Sequence, residues 1–214
     1  MRRLIVLFIA LGLMGCVTSP LIARDSVGEL STVSIFIVRH GETDPTQPKT
    51  LPLSSLGLQR ADILASTVRG VSFTNAFATH TVRARQMIEK IALKNGLQVV
   101  QLPTPGSIVQ GETVTDLTTR RAAIDPVSAA LLKLPSGSVV IVALNSENIY
   151  AILNRLGIPT PKAGESCVVG TWCVPCLDNT CYPAKEFDHL WHIVLDQKRG
   201  KPISFTELRY GIAK

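Results

Sequence analysis

The chain has 214 residues, 46% of them hydrophobic and 18% charged, a size and balance that suit one globular domain and leave little room for two. That length buries a sizeable core without help from cross-links or metals. The net charge of +6 falls to +4 without Arg2 and Arg3, favouring anionic ligands mildly. With 5% aromatic residues and no run of Lys or Arg, the chain carries no footprint of nucleic-acid binding.

Residues 1–15 read as a targeting segment. Arg2 and Arg3 precede an apolar stretch from Leu4 to Leu13, the length of a signal h-region and too short to span a bilayer. The stretch ends in Leu13-Met14-Gly15-Cys16, which resembles the lipobox of bacterial lipoproteins. The resemblance implies cleavage before Cys16, a diacylglycerol on its thiol, and export to the periplasmic side of the envelope. Val17, rather than an Asp, follows that Cys and favours the outer membrane where one exists. Small and polar residues up to 31 then form a tether, and 32–214 form the domain.

The domain opens with Val33-Ser34-Ile35-Phe36-Ile37-Val38, a β-branched run suited to a central strand buried on both faces. Asp44 to Pro52 is a loop, because three prolines forbid regular pairing. Ser54 caps a helix over 55–68, and a short strand over 73–78 ends at Thr79-His80. A helix over 82–94 stops at Asn95-Gly96, and 97–102 is the next strand. After an irregular stretch over 103–119 come a helix to 134, bent near Pro126, a buried strand over 138–144 and a helix over 147–156. Residues 158–184, rich in Pro, Gly and Cys, form a surface excursion, and strands over 189–195 and 203–210 close the chain. This alternation predicts an α/β three-layer sandwich around a mainly parallel sheet.

Cys167, Cys173, Cys176 and Cys181 lie within fifteen residues in the excursion. In an oxidising compartment an even cluster favours disulfides, in one of three connectivities. The alternative is a zinc site, since Cys173-x-x-Cys176 has ligand-like spacing without a second such pair.

Ligands of open α/β sheets bind beyond the carboxyl ends of the strands. Three ends carry suggestive chemistry: Arg39-His40-Gly41, Thr79-His80 with Arg83, and Asn145-Ser146-Glu147. Guanidinium forks match phosphate oxygens, imidazole is a nucleophile near neutral pH, and Gly41 lets the backbone approach an anion.

Val38-Arg39-His40-Gly41-Glu42-Thr43 followed by Leu53-Ser54-Ser55-Leu56-Gly57-Leu58-Gln59-Arg60-Ala61 resembles the opening of the histidine phosphatase superfamily, which includes phosphoglycerate mutases. Phe77 to Gln86, with Arg83 and Ala84, resembles its second block, and Phe187 to Trp191 with Leu208 to Gly211 its last strands. The resemblance implies a phosphohistidine on His40, Arg39 and Arg83 around the phosphoryl oxygens, and no metal or organic cofactor. It also implies a second histidine after the strand over 138–144, where this chain has Asn145, or Leu144 with one residue of slip. Asn145 can donate one hydrogen bond but carries no charge. Glu112 and Glu147 are the candidates for the general acid. His80 is read as a surface residue, and His189 and His192 as packing or edge residues.

Two functions follow as expectations. One is a phosphohydrolase of weakened activity on a phosphorylated small molecule or surface group, attached to a membrane through Cys16. The other is a non-catalytic relative that binds a phosphate-bearing ligand or envelope partner. A module dominated by the Cys-rich excursion is a third reading.

Overall fold

The computed structural model describes residues 31–48, 50–102, 117–160, 173–175, 181–183 and 186–211. Residues 1–30, where the signal segment, the lipidated Cys16 and the tether are expected, lie outside the described residues, as do Glu112, Cys167 and Cys176.

In chain order the elements are β1 (Thr32–Arg39), α1 (Ser55–Thr67), β2 (Asn75–Ala78), α2 (Val82–Lys94), β3 (Val99–Gln101) and α3 (Leu117–Leu132). They continue with β4 (Val139–Leu144), α4 (Ser146–Arg155), β5 (Cys173–Pro175), β6 (Cys181–Pro183), β7 (His189–Asp196) and β8 (Lys201–Arg209). Six strands form one sheet in the order β3-β2-β4-β1-β7-β8. The first four in that order run parallel, and β7 and β8 add an antiparallel edge.

Two apolar clusters make the three layers. On one face Phe36, Val38, Ile141 and Ala143 of the sheet meet Leu64 of α1 and Met87 and Ile88 of α2. On the other, Ile35, Ile37, Val140 and Val142 meet Ile124 and Leu131 of α3 and Ile149 and Leu153 of α4. A fully buried aliphatic side chain of this kind contributes about 1.5–3 kcal/mol.

Local signals explain the element ends. The Ser54 hydroxyl accepts from the Gly57 amide and caps α1 at 3.2 Å. Asn95 closes α2, Gly96 takes φ +67°, and the Asn95 side chain reaches across to accept from the Phe73 amide at 2.9 Å. Pro126 falls inside α3, removing one hydrogen bond from that helix.

The expected surface excursion, residues 158–184, is described only in part. Its described parts, β5 and β6, make a short antiparallel ribbon close to α4. The register pairs Cys173 with Pro183 and Cys181 with Pro175, so these two cysteines are not direct cross-strand partners.

Candidate active site

The carboxyl ends of β1, β2 and β4 emerge at one level of the sheet. The His40 amide donates to the Leu144 carbonyl at 3.2 Å, and the Thr79 amide donates to the Ala143 carbonyl at 3.0 Å. His40 follows Val38 and Asn145 follows Ala143 on the face that packs against α1 and α2. Arg83 lies in the first turn of α2, beside that face.

Arg39, His40 and Asn145 are buried, at 5%, 7% and 2% exposure. The His40 Nδ1 stands 2.7 Å from the Gly41 carbonyl. A carbonyl only accepts, so Nδ1 carries the proton and Nε2 keeps the lone pair of a nucleophile. Burial first, then the charges of Arg83 and Arg39, lower the His40 pKa from 6.5 to about 3. Both guanidiniums therefore act on the one imidazole, which stays neutral at physiological pH.

A test of stability follows from the sign of that shift. Between pH 6.5 and about 3 the unfolded chain binds a proton at His40 that the folded chain refuses. Stability from this group is full above 6.5 and drains away as the pH falls toward 3. Urea unfolding at pH 7, 5 and 4 should show a smaller acid loss in His40→Asn than in the parent chain. Equal losses would mean that His40 is not held neutral by the fold.

Arg39 is fixed from the C-terminal side of the chain. Its Nη1 donates to the Glu186 carbonyl at 2.8 Å, and its Cζ lies 4.1 Å from the centroid of the Phe187 ring. The same ring sits 6.3 Å from that of His40. Residues 186–188 are held in turn. Arg209 bonds the Asp188 and Glu186 carboxylates at 2.8 and 3.0 Å, and the buried Tyr210 donates its hydroxyl to the Phe187 carbonyl at 3.2 Å.

Glu42 faces α1. Its carboxylate accepts from Arg60 Nε and Nη2 at 2.9 and 2.5 Å, a bidentate pair that ties the loop to the helix. Burial pushes the Glu42 pKa up, but the hydrogen bonds and charge of Arg60 outweigh it and hold the carboxyl below its ordinary value.

The remaining sequence-predicted residues divide. Gly41 lies against α1, where a Cβ on it would stand 3.0 Å from Gly57 Cα. Glu147 falls in the first turn of α4, and its side chain lies outside the described residues, as does all of Glu112. His80 is half-buried and lines a cleft with Arg85 and Gln101 at the ends of β2 and β3. His192 stacks on Phe36 at 4.1 Å and bonds Ser34 at 2.6 Å, a packing role. His189 is buried, with one ring nitrogen bonded to Glu186 and the other to Glu207.

Residues 35–104 match the family model of the histidine phosphatase superfamily, branch 1. A probable phosphoglycerate mutase GpmB from Yersinia enterocolitica serotype O:8 / biotype 1B (strain NCTC 13174 / 8081) is 27% identical over 168 residues, 59% of this chain and 76% of that protein. Over residues 35–104, about a third of the chain, the sequence is similar to the histidine phosphatase superfamily.

The structure of the protein histidine phosphatase SixA complexed with tungstate shares the fold, with a TM-score of 0.53 and 20% identity over 82% of this chain and 96% of that one. The match to the histidine phosphatase model runs from β1 to just past β3, so it contains Arg39, His40 and Arg83. Asn145 and Phe187 lie beyond it. Sequence reasoning passed over Phe187 and Thr81 as site residues and gave Thr79 only as part of a strand end, although all three stand within blocks that carry the family resemblance.

Proposed function

We propose that the chain is a metal-independent phosphohydrolase working through a phosphohistidine on His40, with activity lowered by the absence of the second histidine. The observation that carries this reading is a neutral, buried imidazole with Nδ1–H held by Gly41 and two arginines acting on it. Its Nε2 lone pair attacks phosphorus, the bond to the leaving oxygen breaks, and the leaving group takes up a proton. Water then attacks the phosphohistidine, releasing phosphate and restoring His40. The guanidiniums of Arg39 and Arg83, with Asn145, hold the equatorial oxygens and supply the positive charge that metal ions provide in other phosphoryl-transfer sites.

The substrate class is a phosphomonoester or a phosphohistidine-type phosphoramidate. In the second case the leaving nitrogen can already be protonated, so a protein acid matters less. Glu112 and Glu147 are the groups proposed to donate that proton to an alkoxide. We assign the working location to the periplasmic side of a membrane, with the domain tethered through a lipid on Cys16. The four remaining cysteines are proposed to form disulfides there.

A second reading rests on Asn145. Without a charged second imidazole the pocket could bind a phosphate-bearing ligand and not turn it over. Incubation of the purified chain with p-nitrophenyl phosphate separates the two. The enzyme reading expects acid-labile phosphate on His40, turnover of that label, and loss of both in His40→Ala. Phosphate bound without label reaching His40 would end the enzyme reading and leave the binding one.

A further inference from the structure

Two helices begin beside the proposed phosphoryl site, and both have cap residues that forgo capping. Thr81 precedes α2 and Asn145 precedes α4, each with extended backbone and neither with a side-chain bond to its own helix. Thr and Asn at such positions ordinarily accept from the first turn of the helix that follows. Here they bond to each other instead. The Thr81 hydroxyl donates to Asn145 Oδ1 at 3.1 Å, and the Thr79 hydroxyl donates to the same oxygen at 3.3 Å.

An amide oxygen has two lone pairs, and two hydroxyls fill them. The oxygen is therefore turned toward the β2 flank of β4, where Thr79 and Thr81 lie. The sheet order puts β1 and His40 on the opposite flank. An amide with its oxygen held on one side directs its NH2 to the other.

We infer that Thr79 and Thr81 are positioning residues that hold the Asn145 amide with Nδ2 toward the phosphoryl pocket. This rests on the proposed reading of that pocket. Asn145 is then a built neutral donor, in the place where the family resemblance implies a second histidine. A buried amide acquires this orientation only with partners for its oxygen, since an unsatisfied acceptor at 2% exposure is unfavourable.

The test is calorimetric binding of inorganic phosphate, and of tungstate, to the full chain in detergent. Arg39→Ala, Asn145→Ala, the pair Thr79→Val with Thr81→Val, and all three Thr and Asn changes together are compared with the parent. The valine pair is expected to weaken phosphate binding about tenfold or more, as Asn145→Ala does, and the triple variant to lose no more than either. The serine pair, Thr79→Ser with Thr81→Ser, keeps both hydroxyls and should recover most of the affinity. A change that merely loosened the fold would give neither the non-additivity nor the rescue. If the valine pair does not fold, Thr79→Val and Thr81→Val are tested singly through the same cycle.

Parent-like binding by the valine variants, or a loss that adds in full to that of Asn145→Ala, overturns the inference. Arg39→Ala tells the two failures apart. If it abolishes binding while the valine variants do not, only the positioning role falls. If Arg39→Ala binds like the parent, or the parent binds neither anion, the pocket reading falls and takes the inference with it.

Discussion

Arg39→Ala is expected to slow phosphoryl transfer to His40 by about a thousandfold, the low end of what a transition-state arginine supplies. Arg39→Lys should recover little of it. The guanidinium carries five N–H donors in one plane, and the structure fixes that plane twice, through Nη1 on the Glu186 carbonyl and through the Phe187 ring beneath Cζ. The remaining donors are aimed before any ligand arrives. An ammonium can take up the carbonyl bond or meet a phosphoryl oxygen, but it has no fork to do both at set angles. The loss should also grow with acidity. Arg39 is one of the charges that keep the His40 pKa near 3, after burial and Arg83, so its removal lets that pKa rise and protonates the proposed nucleophile at a higher pH. Single-turnover labelling of His40 at pH 7 and pH 5 checks both points. A lysine variant within tenfold of the parent at both pH values would remove Arg39 from the chemistry.

Much of this frame is written locally in the chain. The β-branched run of β1, the Ser54 cap and the Asn95-Gly96 stop act within a few residues of each other, so pattern reading finds them. What escapes such reading acts across long separations. Nothing local to β7 says that it pairs antiparallel with β1, because that choice depends on which strands reach the sheet edge. β5 and β6 have three residues each, too few for a period to register. The site divides the same way. The Arg39-His40 pair is legible as chemistry, but its orientation comes from Glu186 and Phe187, about 147 residues downstream. The bonds from Thr79 and Thr81 to Asn145 span 66 and 64 residues. His189 reads as a packing residue, and its stack on Trp191 agrees, yet its two carboxylate partners sit on separate elements and leave no local mark.

Gly57→Ala should destabilise the chain by about 2 kcal/mol or more, against the direction that helix propensity gives. In an exposed helix the change from Gly to Ala gains about 1 kcal/mol. At this position an added Cβ would stand 2.2 Å from the Glu42 carbonyl oxygen and 3.1 Å from Leu53 Cδ2. The leucine tip can rotate away, but the carbonyl cannot. It accepts from the Ser54 amide at 2.9 Å, next to the bridge between Thr43 and Leu53, and the Glu42 side chain is anchored on Arg60 of the same helix. Overpacking against a locked backbone lies at or above the upper end of the 1–3 kcal/mol range, roughly, so it outweighs the propensity gain. The first turn of α1 must then lift from the loop, and the loop carries Gly41, whose carbonyl sets the tautomer of His40. Lost stability and lost phosphate binding should therefore appear together. Gly70→Ala is the control, because a Cβ there meets nothing within 4 Å. Urea unfolding of the two variants decides the matter: if Gly57→Ala is as stable as Gly70→Ala, the close approach of α1 to the loop after His40 is not what fixes His40.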